Sequence, residues 1–116
     1  MPRELYLTTP TPVNIESLVV AAAVVDDQLG VRVLYGGAAL QLVDHAEVAV
    51  LTIENSRLLQ DGLDASAVVT GLDLGDGPIW WTEAVAPWGS EGDAGVQVAA
   101  GIARVLGGRL RVEDGS

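Results

Sequence analysis

Apolar and polar positions divide the chain into short elements separated by Pro, Gly, Asn and Asp. Glu4 to Thr8 reads as a strand, and the run Thr9-Pro10-Thr11-Pro12 stops it. The spacing predicts a helix from about Val13 to Asp27, with Thr11 as N-cap and Pro12 at the first helical position; Asn14 is the competing cap. Ile15, Leu18, Val19, Ala22 and Leu29 share one helical face, while Val20, Ala21, Val24 and Val25 fill most of the others. Such a helix is expected to be covered on more than one side. Four valines keep a buried strand as the rival reading, and the triplet Ala21 to Ala23 favours helix. Gly30 is placed to end it in a left-handed conformation.

Val31 to Tyr35 then reads as a strand, Gly36-Gly37 as a turn, Leu40 to Val43 as a short strand and Asp44-His45 as a bend. Val48 to Ile53 is the strongest strand pattern, and its nearly continuous apolar run suits a central position in a sheet. From Asn55 to Pro78 only Leu58-Leu59 and Ala67 to Val69 are apolar, between turns rich in Asp and Gly. Ile79 to Val85 is the next strand, closed by Pro87 and the loop Trp88 to Gly92. A second helix should run from about Asp93 to Leu106, with Ala99, Ile102, Ala103 and Leu106 as its buried stripe and Gly107-Gly108 at its end. Arg109 to Glu113 alternates as a final strand, which predicts Leu110 and Val112 buried and Arg109 and Arg111 exposed.

The order β-α-β-β-β-β-α-β has two helices separated by a run of strands. That pattern predicts a single α+β domain of two layers, spanning residues 1 to 116, with a mixed or antiparallel sheet and both helices packed on one face. A ferredoxin-like variant leads; a small mixed α/β sheet is the alternative.

Composition narrows the function classes. With 49% hydrophobic and 19% charged residues the chain can hold a core. The absence of cysteine excludes disulfides, thiolate metal sites and a cysteine nucleophile. Six basic residues, all arginine, against sixteen acidic ones give a net charge of −10, which argues against binding nucleic acid or an anionic membrane. The lack of lysine and phenylalanine and the 14 glycines point to a GC-rich, bacterial coding background. The N-terminal residues lack the pattern of a secretory signal, and the longest apolar run, Leu18 to Val25, falls short of the roughly 20 residues of a membrane span. A cytoplasmic protein is expected.

Candidate chemistry is sparse. His45 beside Asp44 is a general base only if the carboxylate orients it, and neighbours on a strand point to opposite sides. No serine lies in a nucleophile elbow. The Asp61–Asp64 and Asp73–Gly77 turns lack the ligand order of a calcium loop, so neither a metal nor a cofactor is expected. Gly36-Gly37 and Gly71 to Gly77 lack the spacing of a phosphate loop, and Glu91 and Asp93 are placed to cap the second helix.

The tryptophans stand out. Trp80 and Trp81 are neighbours on one strand and so face opposite sides; Ile79, Trp81 and Val85 make the more apolar face and are expected to point inward, with Trp80, Thr82 and Ala84 on the other. Between Arg57 and Arg104 there is no basic residue, while Asp61, Asp64, Asp73, Asp76, Glu83, Glu91 and Asp93 are acidic. An acidic rim around aromatic anchors fits a non-catalytic interaction domain, either self-associating or binding a basic protein partner, with Trp80, Trp88, Glu83, Asp73 and Asp76 as its contact residues. The alternative is a small-molecule-binding protein or minor enzyme with a pocket between sheet and helices, using Glu83, Asp44 and His45. The closing third, with its Trp-containing strand, Pro-Trp-Gly loop, Ala-rich helix and Gly-Gly-Arg-Leu, is similar to small bacterial immunity-like proteins; it holds no diagnostic motif, and the likeness assigns no residue a role.

Overall fold

The computed structural model describes residues 3–59 and 79–113. Over these the elements are β1 (Arg3–Thr9), α1 (Ile15–Val25), β2 (Gly30–Leu34), β3 (Ala39–Val43), β4 (Ala49–Glu54), β5 (Arg57–Leu59), β6 (Ile79–Ala86), α2 (Ser90–Leu106) and β7 (Arg109–Glu113). The strands form one sheet in the order β2-β3-β4-β6-β1-β7, with β5 continuing the line of β4 along β6. Every neighbouring pair is antiparallel. The four strands β7-β1-β6-β4 reproduce the ferredoxin-like order, and β3 and β2 extend it on one side. This is the expected α+β domain, with one strand more than the sequence pattern announced. That strand is β5, whose Leu58-Leu59 pair is too short to read as an element.

Both helices lie on one face. Leu18, Ala21 and Ala22 of α1 and Val98, Ala99 and Ile102 of α2 form the core with Leu5, Leu42, Leu51, Ile53, Ala84 and Ala86 of the sheet. The core-facing residues of the two central strands are matched in register, Leu5 opposite Ala84 and Leu7 opposite Thr82. Small residues on β6 let α2 sit low on the sheet. At Gly95 the approach is so close that a Cβ would collide with the Val50 carbonyl oxygen. Buried Thr82 is satisfied by a hydrogen bond. The Ser56 hydroxyl lies 2.6 Å from the Thr82 hydroxyl and accepts the Val13 N–H at 2.9 Å, which ties the β4–β5 break to the entry of α1.

Several boundaries differ from the sequence expectation, each for a local reason. Asn14, rather than Thr11, caps α1. Its side chain accepts the Ser17 N–H and the Ser17 hydroxyl oxygen accepts the Asn14 N–H, a reciprocal box that Thr11 cannot build. The helix ends in the extended residue Asp26, so Gly30 opens β2 instead of ending α1. Nor is α1 covered on several sides: Ile15, Val19 and Val20 are each 49% exposed and Val24 81%. The start of α2 has no side-chain cap; its N-cap is Gly89, and the Asp93 carboxylate is turned instead to Arg3. Its end is as expected, with Gly107 left-handed at φ 71°. On β7 the burial contrast is blunt. Leu110 is half-buried, Val112 exposed and Arg111 half-buried, because an edge strand is covered only along its inner margin.

Candidate functional site

The register of β6 decides where the tryptophans go. Thr82, Ala84 and Ala86 sit opposite Leu7, Leu5 and Arg3, so the helix-facing side of β6 is the Trp80–Thr82–Ala84 side. The face expected to point inward is therefore the open face of the sheet. Trp81 is nevertheless buried there, at 3% exposure, and its ring packs against that of Tyr6 with centroids 5.2 Å apart. Trp80, on the helix side at the start of β6, is half-buried. Apolarity was a poor guide to parity here because the helices demand small residues beneath them. The large rings fit on the face away from both described helices.

Trp88 lies beyond the other end of β6 and is 49% exposed. Arg3 governs its surroundings. The Arg3 guanidinium stands 5.4 Å from the Trp88 ring centroid, donates from Nη1 to Asp93 at 2.8 Å, and donates from Nη2 to the carbonyls of Pro87 at 2.8 Å and Gly89 at 3.2 Å. Gly92 is needed to close this clamp, since a Cβ there would collide with the Pro87 carbonyl. Glu83 points to the open face and lies 3.9 Å from Arg57. Asp73 and Asp76 lie outside the described residues. Trp80, Glu83 and Trp88 thus occupy the helix side, the open side and the far end of β6, and do not form one patch.

Asp44 and His45 are at the β3–β4 turn, at the opposite end of β4 from the Glu83 level. Asp44 accepts the N–H groups of Ala46 and Val48 at 2.9 and 3.0 Å, a turn-closing role that leaves exposed His45 without an orienting carboxylate.

The open face carries a grouping that the linear sequence scattered. Cross-strand rows place Glu113, Glu4, Val85 and Thr52 side by side, and next to them Arg111, Tyr6 and Glu83. Glu4, Tyr6, Thr52, Glu54, Glu83, Ala84 and Val85 line a depression of about 210 Å³. The Tyr6 hydroxyl donates to Glu4 Oε2 at 3.1 Å. Its pKa is raised above the ordinary 10.0, first by burial, then by the hydrogen bond to Glu4 and by the negative charges of Glu4, Glu83 and Glu113. Arg111 is drawn to Glu113 at 2.7 Å and Arg57 to Glu83. Among the described residues no cation pairs with Glu4 or Glu54.

No family model, curated protein or solved structure matches the chain. Among the described residues no group of three or more His, Asp or Glu side chains is placed to hold a metal ion. No helix among them is long and apolar enough to cross a membrane. Sequence reasoning found Glu83 but missed Glu4, Tyr6 and Glu54. The signal available was the alternation of Glu4 and Tyr6 against Leu5 and Leu7, which marks a polar face on β1.

Proposed function

We propose that this chain is a non-catalytic binding domain that takes a basic segment of a partner protein on the open face of its sheet. The observation that carries this reading is the depression in which Glu4 and Glu54 lack a cationic neighbour among the described residues, although Arg57 and Arg111 flank the same face. The Tyr6 ring lines it and is backed by the Trp81 ring. A guanidinium or ammonium group entering there meets carboxylates at the rim and an aromatic surface below, the pairing that favours cationic side chains. Half of the site is preformed, because Tyr6 and Glu4 hold each other and sit on the doubly paired strand β1. The separation of Glu83 from Asp44 and His45 favours binding over catalysis.

An arginine-rich peptide is the probe, with binding followed by calorimetry on the intact chain. Because a charge of −10 attracts such a peptide everywhere, the test compares two variants of equal charge change. Glu4→Gln with Glu54→Gln should weaken binding about tenfold or more, equivalent to about 1.4 kcal/mol. Asp26→Asn with Asp27→Asn, at the end of α1, should have only a small effect that vanishes at physiological salt, where the screening length is about 8 Å. Equal losses in the two would defeat the proposal.

A further inference from the structure

We infer that β2 and the adjoining flank of α1 form the interface of a two-fold homodimer, in which the β2 strands of two copies pair antiparallel and their α1 helices pack side by side. This surface is separate from the Glu4–Glu54–Glu83 depression, and the inference stands independently of it.

The first observation is an open sheet edge. Among the described residues β2 pairs only with β3, so its other side presents a row of backbone N–H and C=O groups. Edge strands that stay single are blunted by charge, proline or bulges. The opposite edge, β7, conforms, with Arg109, Arg111 and Glu113 along one face. By contrast β2 reads Gly-Val-Arg-Val-Leu, and its single charge, Arg32, is directed to Glu47 at 3.5 Å. Val33 is opposite Leu40, a residue packed against the core, yet is 59% exposed. Among the described residues nothing extends the core beyond Val33.

The second observation is the flank of α1 on that side of the molecule. Ala21 abuts α2, since the Cβ that Gly101 lacks would lie 3.2 Å from the Ala21 Cβ. Leu18 and Ala22 enter the core, and the next residues round the helix are Ile15 and Val19. They therefore lie on the flank away from α2, where β2 is the border of the sheet. Both are half-exposed, and no charged residue occurs between Glu16 and Asp26.

These features specify the occupant. A lone peptide strand would satisfy β2 and leave the Ile15–Val19 flank bare. A basic partner would find no carboxylate between Glu16 and Asp26. What fits is a strand carrying an apolar helix on the same side of its sheet, and this chain's own edge is such a unit. A two-fold axis perpendicular to the sheet pairs β2 with β2 and sets α1 beside α1 in one operation. For a molecule of net charge −10 it also brings two copies together where like charge is sparse.

Sedimentation of the intact chain over a range of concentrations tests the inference, alongside Val33→Lys and Val19→Lys. Wild type should dimerise, and each variant should weaken dimerisation about tenfold or more. Both side chains are half-exposed or more, so the melting temperature of the dilute, dissociated protein should not change. A wild type that is monomeric at every concentration overturns the inference. So does a dimer that survives both substitutions, or one that is lost only with Glu4→Gln and Glu54→Gln.

Discussion

On its helix side β6 presents Trp80, Thr82, Ala84 and Ala86; on its open side it presents Ile79, Trp81, Glu83 and Val85. By hydrophobicity the second set should be the core, and by position the first set is. The difference lies in what each side meets. Beneath the helices, space is limited and Thr and Ala fill it. On the open side Trp81 packs at a tilt against Tyr6, and Ile79 on the same side of the strand is buried as well. Size, rather than polarity alone, separates the two faces of this strand.

The largest effect that would break this picture is at Trp81. Removing a buried tryptophan costs about 3–5 kcal/mol, against a total stability of about 5–15 kcal/mol for a domain of this kind. Trp81→Ala should therefore lower the melting temperature severely, while half-buried Trp80→Ala should cost about 1–2 kcal/mol because less apolar area leaves water. Equal losses would mean that the open face contributes no more than the helix side.

Next comes the crowding beneath the helices. Ala84→Leu adds volume to a site already filled by Leu5, Leu51 and Ile53, and should destabilise by about 1–3 kcal/mol despite the gain in hydrophobicity. Stabilisation by Ala84→Leu, measured by denaturant unfolding, would show that the helix side had spare room.

The smallest effect is electrostatic and belongs to the open face. Tyr6 has a folded-state pKa above 10.0, so the folded protein keeps a proton that the unfolded chain gives up. Stability from this source is complete below pH 10 and declines as pH rises from there through the folded value. Tyr6→Phe should make the melting temperature less sensitive to alkali than wild type. An identical alkaline decline in both proteins would remove Tyr6 as its cause.

Much of the fold could be read in the chain because its signals are local. Gly36 and Gly37, both at positive φ, mark the turn before β3, and Ala99, Ile102 and Ala103 mark the buried stripe of α2. What could not be read depends on register. The side of β6 that faces the helices is set by Leu5 opposite Ala84, a pairing across most of the chain. The same holds for the depression, where Glu4, Glu54 and Glu83 converge only after β1, β4 and β6 align. Arg3 gave no sequence signal at all, since its partners are two backbone carbonyls and Asp93.

The position of β1 has a consequence for the order of assembly. It lies between β6 and β7, the last two of the described strands in chain order, and Arg3 closes its clamp on residues 84 to 90 positions downstream. During synthesis, Leu5 and Leu7 leave the ribosome with no strand to pair with until nearly the whole domain has followed. Loop closure over such a distance precedes any reward from the contacts it brings. β1 therefore gains its strand partners only after β6 has been made, whereas β2, β3 and β4 can pair as soon as they emerge.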